Sequence, residues 1–489
     1  MIFEKTEILY KNNINIFQQF EKMLNNTFGL TTDISSRTIK RILVQNIAKR
    51  SKIDIFNKIL IYVSFLLIIP IFFYLIILLL ISKKKVNKTE NYDIVFDCWG
   101  NNEKHNQLIF ERFYHQINDL LIDKKRAIFE PNIIKRDDYT ILSLYNIDFI
   151  KPNYNMINKN IIIRILKYYT KNIFIIIFLC LKSNINFILI FIKILRQYIL
   201  HQRNSQNINN IKYLISAGDN YYTPLMYHIY KKNGIENIYL LQNGFRTEEF
   251  DSSFYISCDN YFSLNIYMID DYLGLKAYNN IINICSLRLY DATCHLDKTK
   301  PFYDIVFIET IASDSILNDK EHSLHNLMTN YLTSLKLISE FSNKNKQHKI
   351  IYRIKKKGYE PNSSKFYEIR DKLINSSNII LDDEIHSNSY EAILDSKVVV
   401  YSHSTMGYES LLLGKNVLCC NFDNFDFLLS QNDEIGVIIE DNYNIFENKL
   451  FELLENSNTV KQYFKDKRSM HGDLAEDPYK KILDAMKLH

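Results

Sequence analysis

The sequence predicts an α/β protein with two doubly wound domains. Short apolar runs of strand length alternate with helical patterns from about residue 92 onward, and the same alternation starts again after Pro301. Strands that alternate with helices form parallel sheets covered by helices on both faces. The composition, 47% hydrophobic and 24% charged over 489 residues, is typical of a folded chain long enough for two or three domains.

The first domain is expected over residues 91–298, after a basic helical N-terminus over residues 1–90. An apolar run predicts its first strand, and a helical pattern follows from Asn106. A basic insertion at about 155–205 interrupts the alternation. The predicted strands are 92–97, 211–216, 237–242, 253–257 and 281–286, and the helix between the second and third covers 224–232.

The second domain is expected over residues 299–489, where strands and helices alternate most regularly. Its predicted strands are 304–309, 349–354, 378–381, 398–402, 416–421 and 436–440. Its predicted helices are 320–342, 363–374, 389–396 and 405–413, with two more towards residue 489. Two such arrays joined near 295–301 predict two domains that face a cleft.

An uncharged segment of 23 residues, Ile59–Ile81, predicts membrane attachment. As a helix it would be about 34 Å long, which is enough to cross the hydrocarbon core. Lysines and arginines crowd both flanks, so a single span would place one basic flank outside, against the positive-inside tendency. Pro70 can bend the segment into a hairpin that enters and leaves the same leaflet. We therefore favour monotopic or re-entrant attachment, and a full span stays open.

A second stretch is basic and free of acidic residues. Residues 149–218 contain ten Lys and Arg and no Asp or Glu, and Lys171, Lys182, Lys193 and Arg196 lie beside apolar runs. This pattern is typical of helices in an anionic membrane interface. Core helices with a solvated basic edge are the alternative. So much aliphatic bulk disfavours nucleic acid as the partner.

The cysteines indicate neither a disulfide framework nor a zinc site. Seven Cys are scattered along the chain, and no C-x-x-C occurs. An odd number without paired spacing favours free thiols in a reducing compartment. We expect no metal and no cofactor.

A strand that leads directly into a helix gives the strongest functional signal. The apolar run 398–401 precedes Ser402, Ser404 and Thr405, of which the last two can cap the helix, and Gly414 stops it. Free N–H groups, hydroxyls and the positive end of the helix dipole form an anion site at the C-terminal edge of a parallel sheet. Phosphate is the natural ligand. Helix capping alone explains the same residues, so both interpretations stay open.

The same segment reads Ser404-Thr405-Met406-Gly407-Tyr408-Glu409, followed by Gly414-Lys415 and Val417. It resembles the C-terminal donor-domain signature of bacterial surface-carbohydrate (capsule and lipopolysaccharide) biosynthesis glycosyltransferases of the GT-B type. The resemblance implies two Rossmann-like domains and transfer of a sugar from a nucleotide-activated donor held by the C-terminal domain. No D-x-D triplet occurs, so the helix N-terminus and side-chain donors would stabilise the leaving phosphate instead of a metal.

The N-terminal domain resembles this family more loosely. Asp219 after one strand, Gln242-Asn243-Gly244 after the next, and Ser286-Leu287-Arg288 near the domain junction match family segments. Asn243 stands where His is usual, and Cys285 stands where Gly is usual. Because of these departures, a non-catalytic membrane-bound assembly protein is an alternative interpretation.

Other side chains of the second domain can contact the donor. Arg353 and Lys355 alternate at a strand end, where they can neutralise phosphate. His386 and His403 flank the motif, and each either donates to phosphate or is structural. Glu409 either binds a ribose hydroxyl or only favours the helix dipole. The donor-binding candidates are Arg353, Lys355, His386, Ser402, His403, Ser404, Thr405, Gly407 and Glu409.

An inverting transfer needs a general base beside the acceptor hydroxyl. Asp219 is the first candidate because it follows a strand at its carboxyl end, and Glu103 and His105 are reserves. Trp99, the only Trp, can stack on a sugar or be packed in the fold. The acceptor-side candidates are Trp99, Gln242 and Asn243.

The leading hypothesis is a metal-independent, membrane-associated glycosyltransferase that extends a lipid-linked surface glycan at the cytoplasmic face of the bacterial inner membrane. Its expected partners are a nucleotide sugar, the lipid-linked acceptor and an anionic membrane surface, with no nucleic acid. A CDP-polyol phosphotransferase of teichoic-acid type is the alternative enzyme, because it uses a comparable fold and phosphate site.

Overall fold

The computed structural model divides the chain into two units. Unit 1 comprises residues 1–282 together with 482–489, and unit 2 comprises residues 283–481. The division falls at Asn283 where the sequence analysis expected 299, and the basic N-terminus belongs to unit 1. The described residues are 2–48, 64–82, 91–99, 103–130, 145, 147–150, 158–183, 185–208, 210–218, 221–242, 255–264, 274–294, 301–309, 325–354, 364–382, 385–402, 404–422, 436–455 and 476–487.

Unit 1 is built on one sheet. Its strands are β1 (Ile94–Asp97), β2 (Arg126–Phe129), β3 (Asp148–Ile150), β4 (Tyr213–Ser216), β5 (Asn237–Leu241), β6 (Ser257–Ser263) and β7 (Lys276–Asn283). They lie in the order β3-β2-β1-β4-β5-β6-β7, and β1 to β6 are parallel. This is the strand order of doubly wound sheets, whose ligands bind where the order reverses, here between β1 and β4.

The helices of unit 1 cover this sheet and extend it into a helical region. They are α1 (Ile2–Asn12), α2 (Ile14–Phe28), α3 (Thr32–Ala48), α4 (Ile68–Ile81), α5 (Glu103–Phe113), α6 (His115–Leu120), α7 (Lys159–Ser183), α8 (Phe187–Asn207) and α9 (Pro224–Lys232). The N-terminal helices pack on α7, α8 and α9. Phe17 and Phe20 of α2 lie 5.5 and 4.7 Å from the ring of Phe187. The basic N-terminus therefore contributes to the core of unit 1.

Unit 2 repeats the same topology. Its strands are β8 (Tyr303–Ile308), β9 (Ile350–Arg353), β10 (Ile379–Asp382), β11 (Ser396–Tyr401), β12 (Asn416–Cys420) and β13 (Val437–Ile438). All are parallel, in the order β10-β9-β8-β11-β12-β13. The order reverses between β8 and β11. Two parallel sheets of this kind confirm the predicted pair of doubly wound, Rossmann-like domains of the GT-B type.

The remaining helices follow the strands of unit 2. They are α10 (Leu287–Cys294), α11 (His325–Lys344), α12 (Ser364–Asn375), α13 (Ser389–Leu394), α14 (Thr405–Leu412), α15 (Tyr443–Glu455) and α16 (Pro478–Met486). The end of α16 belongs to unit 1. There, the hydroxyls of Tyr213 and Tyr239 donate hydrogen bonds to the carbonyls of Met486 and Ala485, at 2.8 and 3.2 Å.

Four strands differ from the sequence-based expectation, all in unit 1. Strands β2 and β3 were not predicted, the strand expected at 253–257 lies at Ser257–Ser263, and the strand expected at 281–286 lies at Lys276–Asn283. All seven residues of β6 are buried although several are polar. Asp259 is satisfied there by Tyr227, Lys231 and the Ile238 N–H, at 2.8, 3.0 and 2.8 Å. A buried strand that carries polar residues has no apolar run for the sequence to reveal.

The apolar segment predicted at Ile59–Ile81 is described from residue 64, and residues 59–63 lie outside the described part. Within it residues 64 and 65 are helical, a turn follows at Leu66 and Leu67, and α4 is then continuous from Ile68 to Ile81, so the hairpin expected around Pro70 stays a prediction. Pro70 lies in the first turn, where the missing N–H has no intrahelical partner to lose. No helix among the described residues is both long and apolar enough to cross a membrane.

Candidate functional site

The switch point of unit 2 lies where β11 passes into α14. Strand β11 pairs with β8 on one side and β12 on the other, so its carboxyl end opens at the reversal of strand order. Ser404 is the N-cap of α14, as predicted, and its hydroxyl accepts a hydrogen bond from the Met406 N–H at 3.3 Å. Gly414, with φ of 73°, follows the end of the helix. His403 lies outside the described residues, as does the side chain of Thr405.

Gly407 brings α14 close to β11. A Cβ at this position would overlap the ring of Tyr401, which is 4% exposed. The absent side chain lets the first turn of the helix lie directly on the end of the strand. Gly407 therefore has a packing role at the site, and a direct contact with a donor stays a prediction.

A buried amide of α11 holds the side chain of Ser402 in place. The Ser402 hydroxyl accepts a hydrogen bond from the Asn330 side chain of α11 at 3.2 Å, and the same amide donates to the Cys420 carbonyl at 2.9 Å. The Asn330 oxygen accepts from the Phe422 N–H at 3.1 Å. One buried amide thus ties together the ends of β11 and β12, which fixes the strand end from which α14 starts.

Two motifs that are far apart in the sequence meet beside α14. Glu409, 1% exposed, accepts a hydrogen bond from the Tyr390 hydroxyl at 2.8 Å through Oε2. Its Oε1 faces Nη2 of Arg288 at 3.9 Å and accepts no hydrogen bond among the described residues. Burial raises the pKa of Tyr390 well above its usual range, and the Glu409 charge adds to this effect. The hydroxyl therefore stays a donor to the carboxylate at physiological pH.

Arg353 and His386 form a second buried cluster in unit 2. The Arg353 guanidinium contacts Asp382 Oδ2 and the His386 carbonyl, both at 3.0 Å. The His386 ring lies between two carboxylates, with Nδ1 2.9 Å from Asp382 and Nε2 3.4 Å from Asp395. These contacts favour a positioning role for Arg353 and His386 over direct contact with phosphate. Lys355 lies outside the described residues.

The switch point of unit 1 holds a buried carboxyl group. Asp97 ends β1 beside Ser216 of β4 and is 3% exposed. Its Oδ2 accepts a hydrogen bond from the Tyr222 hydroxyl at 2.6 Å. Burial raises the pKa of Asp97 to about 6, although hydrogen bonds with Tyr222 and Ser216 lower it. The Tyr114 hydroxyl donates to the Asp97 carbonyl at 3.0 Å and accepts from the Ala217 N–H at 2.6 Å, which joins the two strand ends.

Trp99 packs at the same edge of the sheet. A Cβ on Gly218 would overlap its indole, and its ring centroid lies 5.0 Å from that of Tyr221. Trp99 is thus packed, and stacking on a sugar stays a prediction. Gln242, at the end of β5, is buried, and its side-chain oxygen accepts from the Leu264 N–H at 2.9 Å.

The side chains of the three predicted bases lie outside the described part of the structure. Asp219 and the acceptor-side Asn243 lie outside the described residues. Glu103 and His105 lie in the first turn of α5, and their side chains are outside the described part as well. Among the described residues, no three His, Cys, Asp or Glu side chains are grouped as metal ligands.

The sequence analysis missed two features of these sites. It did not weigh Asp97 as a base, although the buried run Ile94–Asp97 ends on a carboxylate, which was the available signal. It also did not predict that Arg288 meets Glu409, because 120 intervening residues leave no local pattern to read.

No family model matches this sequence, and no curated protein does so either. Several solved structures are similar. A wall teichoic acid polymerase, TagF, soaked with CDPG, is 11% identical with a TM-score of 0.42, and 97% of each chain is covered. A putative UDP-N-acetylglucosamine 2-epimerase from Listeria monocytogenes is 11% identical with a TM-score of 0.43, over 82% of this chain and 96% of that one.

A glycosyltransferase from Rickettsia africae is 10% identical with a TM-score of 0.42, over 82% of this chain and 98% of that one. The structural neighbours are thus enzymes named for surface-polymer and sugar-nucleotide chemistry. TM-scores below 0.5 do not establish a shared function. The fold assignment therefore rests on the two sheets of this chain.

Proposed function

We propose that the protein is a glycosyltransferase that uses a nucleotide-activated sugar and binds this donor in unit 2. One observation carries the proposal: at the switch point of this sheet, β11 leads through Ser402 and Ser404 directly into α14, beside the Arg288–Glu409–Tyr390 cluster. Doubly wound sheets bind ligands at this position, and a helix N-terminus there favours phosphate.

The proposed roles follow from the contacts. Ser404 and the start of α14 bind the donor phosphate, and Arg288, whose side chain is 28% exposed, adds a positive charge beside it. Glu409 positions that guanidinium, and Tyr390 fixes the Glu409 carboxylate. Charge developing on the leaving phosphate is then stabilised by preorganised donors. Lys355, His403 and Thr405 remain candidates for further donor contacts.

The proposed acceptor is a lipid-linked surface glycan of the capsule or lipopolysaccharide type, bound by unit 1 at the cytoplasmic face of the membrane. Support comes from the sequence resemblance and from the polar groups at the switch point of the first sheet. Asp97 joins Asp219, Glu103 and His105 as a candidate general base, because its buried carboxyl lies at the end of β1. A base with a pKa near 6 is ionised, and able to accept a proton, at neutral pH.

A double substitution tests the donor site. S404A/T405A removes two hydroxyls from the start of α14 and is expected to weaken binding of the donor nucleotide by about 1–3 kcal/mol for each lost hydrogen bond to phosphate. Titration calorimetry with CMP, UMP, GMP and CDP identifies the nucleotide and measures this loss.

T223A is the matched control, because Thr223 caps α9 in unit 1 by accepting from the Met226 N–H at 3.0 Å. This variant loses a cap but should bind nucleotide as the parent does. Equal nucleotide affinity of S404A/T405A and the parent, in a folded protein, would overturn the donor-site assignment. Mass spectrometry of the product separates sugar transfer from transfer of a polyol phosphate.

A further inference from the structure

Two neighbouring helices of unit 1 expose large apolar side chains. On α4 the exposed fractions are 77% for Leu80 and 65% for Ile69, and on α7 they are 78% for Phe174 and 55% for Phe178. We call the exposed apolar side chains of α4 and of residues 174–181 of α7 the docking face. Its residues are Ile69, Phe73, Tyr74, Ile77, Leu80 and Ile81 of α4, and Phe174, Ile175, Phe178 and Leu181 of α7.

The opposite sides of both helices are fixed in the fold. Ile71, Leu75 and Leu78 of α4 are buried, and so are Ile176 and Leu179 of α7. The two helices pack on each other. The Tyr169 hydroxyl of α7 donates a hydrogen bond to the Ile68 carbonyl of α4 at 2.9 Å. The core thus determines which residues of α4 and α7 point outward, and the exposed apolar residues are not the ends of frayed helices.

Cations border the apolar part of α7. Exposed residues recur every three or four positions along this helix, which places Lys171 and Lys182 at either end of the run from Phe174 to Leu181. The Lys182 ammonium lies 5.8 Å from the ring centre of Phe178. Neither α7 nor α4 contains an acidic residue. A lysine can keep its stem on apolar surface while its charge reaches an anionic headgroup.

We propose that the docking face inserts into one leaflet of an anionic lipid bilayer and holds the protein on the membrane surface. Exposed apolar patches of this kind mark interaction sites. An anionic lipid surface satisfies both the apolar side chains and the bordering lysines. A second copy of the chain fits less well, because a two-fold contact would bring together two copies of the same face, which has lysines at its border and no acidic residue on either helix to pair with them.

The proposal assigns a shallow, parallel mode of attachment to these helices. Helix α4 has 14 residues, a length of about 21 Å, which is shorter than the hydrocarbon core of roughly 30 Å. Side chains on one face of such a helix reach about 5–10 Å into the headgroup and acyl boundary. The proposal does not depend on the enzyme assignment, since vesicle binding is measured without donor or acceptor.

A flotation assay with the full chain tests the proposal. Vesicles of phosphatidylcholine with about one quarter phosphatidylglycerol are expected to float the parent protein, whereas F174E/F178E should bind at least about tenfold more weakly, since charged side chains oppose insertion. I122E is the matched control, because Ile122 is 73% exposed in unit 1 but lies outside the docking face. It should float with the vesicles as the parent does.

A fluorophore reports on insertion at one position, even if other segments also bind lipid. Cys294 is exposed and the six other cysteines are buried, so F178C in a C294S background offers one reactive thiol. An environment-sensitive label there should shift to the blue with vesicles and be quenched by lipids labelled in the upper acyl chain. The same label on I122C should not respond.

Two results would overturn the proposal. One is an unchanged emission of the label at position 178 in the presence of bound vesicles, together with equal flotation of F174E/F178E and the parent. The other is a dimer of the parent that F174E/F178E converts to a monomer without any vesicle binding by either, as measured by sedimentation velocity. In that case a second copy, and not lipid, covers the face.

Discussion

The two units share one strand order but place different chemistry at its reversal. In unit 1, β1 ends on the buried Asp97 beside the end of β4, and Gly218 after β4 lies against the indole of Trp99. In unit 2, β11 leads within three residues into α14, whose cap is Ser404. The first arrangement offers a carboxylate, which can accept a proton, and the second offers positive potential, which suits phosphate.

The difference shows that strand order determines where a site lies, whereas the residues between the strand and the next helix determine its chemistry. In unit 1 the helix after β4 starts only at Pro224. In unit 2 the helix starts almost at the strand end, and Gly407 lets it lie on Tyr401. Unit 1 also contains the docking face, whereas fewer large apolar residues are exposed in the described part of unit 2: Phe302, Ile380, Leu381, Ile385, Ile439 and Ile445.

The largest expected effect comes from D97N. Replacing the carboxylate with an amide removes the candidate base, so turnover should fall by about 10²–10⁴-fold while nucleotide affinity stays unchanged. D123N, at an exposed aspartate of the same unit, is the control and should keep full activity. Steady-state kinetics and calorimetry on both variants make the measurement. Normal turnover of a folded D97N protein would remove Asp97 from the mechanism.

The same residue predicts how the stability of unit 1 depends on pH. The pKa of Asp97 rises from an ordinary 3.8 to about 6, so between these values the folded state holds a proton that the unfolded state has lost. The free energy of unfolding should therefore fall as pH rises from about 4 to 6, by roughly 3 kcal/mol, and stay level above that range. Denaturant titrations over this pH range should show the fall in the free energy of unfolding for the parent but not for D97N. Parallel pH profiles would contradict the burial of the charge.

The smallest expected effect compares two glycines. An added methyl at Gly407 meets the buried ring of Tyr401, and one at Gly218 meets the half-buried indole of Trp99. G407A should lower the free energy of unfolding by about 2–3 kcal/mol and G218A by about 1 kcal/mol, because the indole has more room to move. The double variant W99L/G218A should recover the free energy of unfolding that G218A loses. Equal losses for G407A and G218A would mean that the two strand ends are packed alike.

The sequence predicts the second unit well because each signal there is local. The apolar run of β11, the cap at Ser404 and the stop at Gly414 lie within twenty residues. In the first unit the polar, buried β6 hides its strand character, since Asp259 is satisfied by residues from α9 and β5. Capping depends on neighbours in sequence, whereas burial of a polar group depends on partners that only the fold assembles.

The site shows the same division between local and long-range information. Ser404 was predicted from its own segment, but the contacts of Glu409 come from Tyr390 and Arg288, 19 and 121 positions away in the sequence. The carboxylate of Asp97 was visible, but its environment was not, because Tyr114 and Tyr222 approach it from other elements. The types of the site residues were therefore predictable from the sequence, but their contacts with distant residues were not.

The central claim is that the donor nucleotide binds at the switch point of unit 2 and not at that of unit 1. Hydrogen exchange with and without the nucleotide identified by calorimetry tests this claim most directly. The account predicts slower exchange in peptides that cover 402–409 and 286–290 of unit 2, and unchanged exchange in peptides that cover 94–99 and 213–218 of unit 1. Protection confined to the unit 1 peptides would contradict the assignment of the donor site to α14.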